Sequence, residues 1–360
     1  MAPATAPDDG APLAAAVQAT WHRFLDVYEP LRPDLYRYCR YLTRDPWDAE
    51  DLTQDTLARA FVTVGCVFKD LPANPKAWLF RVASNLWIDR QRRIRERPLA
   101  DQEVPEPAAD PPSRADPDAA RMLLMRLAPQ ERAAVVLKDA FDFTLEEIAT
   151  MLATTVGAVK AALHRGRTRL KAVPPAATMP QRRPVPRAIA EFCAAFNDRD
   201  MDRLTRTLLD EASVEIVGLV TEYGSQAARD PDTGSFHGMM FGDLSADDPR
   251  GGVDPSLRRG VLSDPPRVDV AWYRDSPIVL FWYAHEDGLA VRSVARIVAD
   301  SDGIASVRNY FFTPDVIAEV CAELAVPWRV NGYRYWPRAK SAAAANSNSN
   351  DPLDPSRSNG

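Results

Sequence analysis

The 360-residue sequence predicts a multidomain protein: two all-α blocks followed by an α+β domain. Three observations carry that prediction. Helical periodicity fills residues 20–97 and 119–173, proline-rich stretches separate the blocks, and strand-like alternation begins only after residue 212. The first break, 98-PLADQEVPEPAADPPSRADPD-118, is acidic and proline-rich, and 174-PPAATMPQRRPVP-186 is a second break of linker composition. Residues 1–19 and the low-complexity tail 339–360 are expected to be disordered.

Composition bounds the function. Lys+Arg number 44 against 50 Asp+Glu, a net charge of −6, so general affinity for nucleic acid is not expected and local patches must decide. Cys39, Cys66, Cys193 and Cys321 lie far apart without a CxxC pair, which argues against a metal cluster or a disulfide scaffold and for a reducing, cytoplasmic setting. No apolar run approaches the roughly 20 residues of a membrane span, so no membrane contact is expected.

In the first block, Phe24, Tyr28, Leu31, Leu35, Tyr38 and Leu42 recur at helical steps, with a break expected near Pro33 and an end at Asp45-Pro46. The next helix, 47-WDAEDLTQDTLARAFVTV-64, puts Leu52, Thr56, Ala60 and Val64 on one stripe. Its other face shows Asp48, Asp51, Gln54 and Asp55. That face is either simply solvated or an acidic docking surface for a basic partner. The third helix, 75-PKAWLFRVASNLWIDRQRRIRER-97, follows a capping Asn74 and carries a core stripe of Trp78, Leu79, Val82, Ala83 and Leu86. Its far end is dense in arginine, more than a helix C-terminus needs to offset its dipole, and fits phosphate contact.

The segments 48-DAEDLTQDTLARAF-61 and 75-PKAWLFRVASNLWIDRQRR-93 resemble conserved region 2 of bacterial RNA polymerase sigma factors of the extracytoplasmic-function group. The resemblance rests on Asp48, Glu50, Asp51, Gln54, Ala77-Trp78-Leu79, Asn85, Asp89, Arg92 and Arg93 at the family's spacing. It implies that Asp48, Asp51, Gln54 and Asp55 dock on core RNA polymerase. It further implies that the loop 65–75, with Lys69 and Asn74, captures a base of the promoter −10 element. Arg81, Asn85, Arg90, Arg92 and Arg93 would hold the melted strand. Unstacked bases in a shaped pocket and a backbone held by cations are the physics such a role requires.

In the second block, 121-RMLLMRLAPQERAAVVLKD-139 reads as two short helices hinged near Ala128-Pro129. Then 144-TLEEIATML-152 opens with a Thr144/Glu147 capping box, and a short turn, 153-ATT-155, leads into a helix that buries Val156, Val159, Leu163 and Leu170. This is a helix-turn-helix pattern. The exposed face of the second helix is Gly157, Lys160, Ala161, His164, Arg165 and Thr168. Lys160, Ala161 and His164 are assigned to base edges, and Arg165, Arg167 and Arg169 mainly to the backbone. No second His or Cys lies near His164, so no metal is expected there. The segment 157-GAVKAALHRGRTRLK-171 contains no acid to balance these charges. The block resembles region 4 of the same sigma group, which reads the −35 element; Ala158 and Gly166 depart from the family's usual Thr and Ala. Small side chains here suit contact with thymine methyls.

Residues 187–338 are expected to form a third domain. Helices at 187–199 and 201–210 precede strand-like runs at 213–220, 268–274, 277–284, 290–299 and 304–312, with turns at 274–276, 286–288 and 300–303. The pattern resembles the SnoaL-like (NTF2-like) α+β cone fused to some sigma factors of this group. Relatives of that cone include enzymes, and Tyr223, His237, Tyr273, Trp282 and Asp269 are candidate pocket residues. The resemblance favours a regulatory domain in intramolecular contact with the sigma core over catalysis. The whole is thus expected to be a cytoplasmic alternative sigma factor, not an enzyme, acting with core RNA polymerase and promoter DNA and without a cofactor. The alternative is an NTF2-like enzyme or ligand sensor fused to a DNA-binding regulator that does not bind polymerase.

Overall fold

The computed structural model describes residues 20, 24–66, 72–96, 123–170, 184–226, 235–241, 265–285, 287–329 and 332–333. The chain divides into two compact units, Met1–Arg182 and Arg183–Gly360.

The regular secondary structure among the described residues of the first unit is all helical. A 3₁₀ turn, Glu29–Leu31, leads into α1 (Arg32–Leu42), followed by α2 (Pro46–Cys66), α3 (Pro75–Glu96), α4 (Pro129–Asp139), α5 (Leu145–Met151) and α6 (Val156–Leu170). Local chemistry sets these starts. Pro33 lies in the first turn of α1, where an N–H has no helical partner to lose. Asp45 does more than end α1: its Oδ1 accepts the Asp48 N–H at 2.8 Å and so starts α2. Asn74 Oδ1 accepts the Ala77 N–H at 3.0 Å, and Thr155 Oγ1 accepts the Ala158 N–H at 3.1 Å. The Thr144/Glu147 capping box is complete, with the Thr144 N–H donating to Glu147 Oε2 at 2.8 Å and the Glu147 N–H to Thr144 Oγ1 at 3.2 Å.

The core of α1–α3 is built from Leu35, Tyr38, Leu42, Trp47, Leu52, Ala60, Leu79, Phe80, Ala83 and Trp87, all buried. The expected α3 stripe is only partly right. Trp78, Val82 and Leu86 are half-buried, whereas Phe80 and Trp87, two turns apart, are fully buried. The reason is that α3 packs on two sides. One side meets α2 and the other meets α4 and α5. The two helical blocks that the sequence separates by a linker therefore share one body. Arg132 on α4 donates to the Leu42 carbonyl at 2.6 Å and lies 5.1 Å from the Trp87 ring. Burial lowers its guanidinium pKa to about 10. Helices α4 and α6 also approach closely: a Cβ added at Gly166 would lie 2.8 Å from Val135 Cγ2.

The second unit is α+β, as the cone resemblance implied. Helices α7 (Arg187–Asp198) and α8 (Met201–Thr205) precede β1 (Leu208–Ile216) and β2 (Val220–Tyr223). Then come α9 (Ser235–Phe241), β3 (Arg267–Tyr273), β4 (Ser276–His285), β5 (Gly288–Ala299), β6 (Ile304–Asn309) and α10 (Pro314–Glu323). The helix expected over 201–210 is shorter, because residues from Leu208 pair with β6. The six strands run in the order β2-β1-β6-β5-β4-β3, antiparallel except for the parallel β1–β6 pair. Phe192 and Phe196 of α7 and Phe236 and Met240 of α9 pack with Val268, Val279, Phe281, Ala295, Ile297 and Val307 of the sheet. Asn197 clamps the edge strand β3, its amide donating to the Val268 carbonyl and accepting the Val268 N–H, each at 2.8 Å.

Candidate nucleic-acid interface

Helices α2 and α3 pack side by side and expose faces of opposite sign. On α2, Asp55 is exposed, while Asp48, Asp51 and Gln54 are half-buried. Gln54 is held from below. Its amide donates to Glu50 Oε1 at 2.6 Å, and the fully buried Glu50 is ion-paired with Arg32, itself 3% exposed. That buried pair fixes the rotamer of a predicted docking residue, since a charge removed from water holds its partners strictly. Asp48 faces α3 and lies 3.6 Å from Arg90 Nη2. One predicted docking residue and one predicted strand-contact residue thus neutralise each other, in an exposed pair worth about 1 kcal/mol or less.

On α3, Arg81, Asn85, Arg90, Arg92 and Arg93 are exposed, with Arg92 near Asp89 at 3.3 Å and Glu96 at 3.9 Å. Asn74 is exposed, and its carbonyl oxygen accepts the cap hydrogen bond on α3, which leaves its amide nitrogen and one oxygen lone pair for a base. Lys69 lies outside the described residues.

On α6, Gly157, Lys160, Ala161 and His164 are exposed along one face, as expected of a recognition helix. The arginines behave differently from the sequence expectation. Arg165 Nε donates to Glu131 Oε1 at 2.9 Å, Arg169 pairs with the other oxygen of Glu131, and Arg167 pairs with Asp139. The carboxylates missing from 157–171 are supplied by α4, and the Asp139 hydrogen bond raises the Arg167 pKa. Glu131 has a side chain 5% exposed, while Arg165 and Arg169 are about half exposed. These two cations compensate a buried charge, so backbone contact is not their sole role.

Of the candidate pocket residues of the second unit, only Asp269 and Trp282 are shown in contact among the described residues. Tyr223 is exposed, Tyr273 is buried, and Asp269 accepts the Trp282 indole N–H at 2.9 Å at the surface. The side chain of His237 lies outside the described residues. Among the described residues no group of three His, Cys, Asp or Glu could hold a metal, and no helix is long and apolar enough to cross a membrane.

Residues 27–97 match the family model of Sigma-70 region 2, and residues 118–170 match that of Sigma-70, region 4. The chain is 33% identical over 159 residues to the ECF RNA polymerase sigma factor SigM of Mycobacterium tuberculosis, covering 44% of this chain and 80% of SigM. It belongs to the ECF sigma factors. It is also 30% identical over 236 residues to SigG of the same organism, covering 55% of this chain and 63% of the length of SigG. Among solved structures, the M. tuberculosis extracytoplasmic function sigma factor SigJ matches at 20% identity, with 79% of this chain and 95% of that chain covered and a TM-score of 0.29. Both family models fall in the helical unit, which assigns α1–α3 to region 2 and α4–α6 to region 4.

Proposed function

We propose that this ECF sigma factor binds core RNA polymerase through Asp51, Gln54 and Asp55 of α2 and directs promoter-specific initiation. In this reading α3 holds the melted −10 strand and Lys160, Ala161 and His164 of α6 read the −35 element. The observation that carries it is the pair of adjacent helix faces of opposite sign. An acidic face whose Gln54 is pinned by a buried ion pair suits a basic protein partner, and the arginines beside it suit a phosphate backbone.

The second unit is a regulator in this proposal and not an enzyme: its candidate acid Asp269 is engaged by the Trp282 indole at the surface, and Tyr273 is buried. It would act by intramolecular contact with the sigma regions, in the cytoplasm and without a cofactor. Run-off transcription with purified core polymerase tests this, using the full chain and a chain ending at Arg182, the boundary between the units. A promoter-dependent transcript from either form supports the sigma role, and none from both defeats it. Equal transcript from both defeats the regulatory role.

A further inference from the structure

The stripe that α4 turns toward α6 carries a carboxylate at each end. Glu131, Val135 and Asp139 are spaced four apart, so they share one face of α4. At 1.5 Å per residue, the two acids lie about 12 Å apart along that face. Val135 marks the crossing, where Gly166 of α6 lies against it. On one side of the crossing Glu131 takes Arg165 and Arg169. On the other, Asp139 takes Arg167 through its Nε, at 3.3 Å, and its Nη2. At about 100° per residue, Arg165 and Arg169 lie about 100° and about 140° round α6 from His164 in one sense, and Arg167 about 60° in the other. One helix therefore grips the recognition helix on both flanks of its exposed face.

Shape alone fixes the roll of α6 weakly. Its buried residues are Val159, Ala162, Leu163 and Gly166. Ala162 offers one methyl and Gly166 no side chain, so the ridges that key one helix into another are shallow at the crossing. Roll matters because the readout is a lever. Side-chain tips stand about 6 Å from a helix axis, so a roll of about 20° moves Lys160, Ala161 and His164 by about 2 Å. A hydrogen bond to a base edge tolerates only about 0.5 Å. A small roll would therefore exchange one set of base contacts for another.

We infer that Glu131 and Asp139 are positioning residues for −35 selectivity: they set the roll of α6, and so decide which base edges Lys160, Ala161 and His164 meet, without touching DNA themselves. The inference rests on the reading of α6 as the −35 helix. Glu131 is the stiffer of the two, because its side chain is 5% exposed and both its oxygens are engaged. Asp139 is exposed, so its removal spares the fold. Removing either acid has two separable effects. An arginine freed from its carboxylate gains a phosphate contact that is the same for every sequence, so affinity rises and the ratio between sequences holds. A changed roll alters the ratio itself.

The test uses the full chain with core RNA polymerase and a pool of promoter duplexes randomised over the −35 region. The parent is expected to enrich a defined sequence, and its affinity for that duplex is compared with its affinity for a scrambled one. Asp139→Asn should lower this ratio about threefold and Glu131→Gln about tenfold, with binding to the scrambled duplex unchanged or tighter. Arg167→Asp alone should also lower the ratio. The charge swap Asp139→Arg, Arg167→Asp should restore it, although position 167 then has no cation to offer a phosphate. Asp139→Asn and the swap should melt with the parent, so they decide the matter if Glu131→Gln loses helical signal. An unchanged ratio in Asp139→Asn overturns the inference, as does a swap no more selective than Arg167→Asp. A parent that enriches no sequence overturns the −35 reading and the inference with it. A selective parent whose variants are equally selective overturns the inference alone.

Discussion

Helices α3 and α6 both end in arginine-rich turns, yet their cations are held differently. On α3 the nearest carboxylates, Asp48, Asp89 and Glu96, are exposed to roughly the same degree as the arginines they approach. Such pairs are screened and easily exchanged for a phosphate. On α6, Arg165 and Arg169 converge on Glu131, which the packing of α4 against α6 has removed from water. A buried carboxylate depends on its cations, so these two arginines are required before any DNA arrives. A count of basic residues cannot separate the two cases; the burial of the acid opposite does.

The largest effect should come from Glu131. Replacing it with Gln removes the buried charge that Arg165 and Arg169 share and weakens its hydrogen bond from the Ala128 N–H, 3.3 Å long, at the start of α4. Because the two guanidinium groups are half exposed, screening trims the loss, and we expect a destabilisation of about 2 kcal/mol. Thermal unfolding of Glu131→Gln checks this. A melting temperature within a degree of the parent would erase the distinction drawn between α3 and α6.

The counterpart on α3 should act on binding and spare stability. The double variant Arg92→Ala, Arg93→Ala removes two exposed cations and should leave the melting temperature unchanged. With core polymerase present, affinity for a single-stranded promoter fragment should fall about tenfold at low salt, roughly 1.4 kcal/mol. The slope of log affinity against log salt should become shallower by about 1.4. An unchanged slope would remove these residues from the strand contact. The same measurements on Arg165→Ala, Arg169→Ala should show the opposite balance, a clear stability loss with a smaller change in slope.

Gly166 sharpens why α6 can reach Glu131 at all. Its missing side chain lets α4 and α6 approach to where a Cβ would lie 2.8 Å from Val135 Cγ2. Gly166→Ala gains helix propensity of about 1 kcal/mol but forces a shift against a stiff β-branched neighbour, typically costing 1–3 kcal/mol. The expected result is a net loss of about 1 kcal/mol, reversed in Gly166→Ala, Val135→Ala, where the obstructing methyl is absent. Equal melting temperatures for the single and double variants would show that the close approach does not limit packing.

These contrasts mark what could be read in the chain before its fold. The caps at Asn74 and Thr144, the acidic face of α2 and the exposed face of α6 follow from local rules, because each involves residues within a turn or two of one another. The strand order of the second unit and the partners of Arg165, Arg167 and Arg169 do not, since Glu131 lies 34 and 38 positions from the arginines it binds. Phe80 and Trp87 show the same limit. Periodicity marked α3 as one-sided, and only contact with α4 and α5 explains its second buried side. In the second unit, the pairing of β3 with β4 brings Asp269 and Trp282 together at the surface, a contact that residue type alone does not show.

The smallest effect expected is a pH dependence confined to the second unit, which extends the comparison to a group that burial keeps neutral. His285, at the end of β4, is half-buried, and burial first, then Arg329 and Arg292, depress its pKa. The imidazole is therefore neutral in the folded state at a pH where the unfolded chain already binds a proton. Because the unfolded state holds more protons in that window, stability falls as pH drops below the ordinary histidine value near 6.5, and it is constant above it as far as this group is concerned. Carboxylates contribute their own acid slope, so the informative quantity is the difference between the parent and His285→Gln. Their melting temperatures should run parallel above pH 7, and the parent should drop more steeply from about pH 6.5 to 5. A parent that gains stability relative to His285→Gln over that interval would show that Asp287, the opposing influence on this imidazole, outweighs burial and the two arginines.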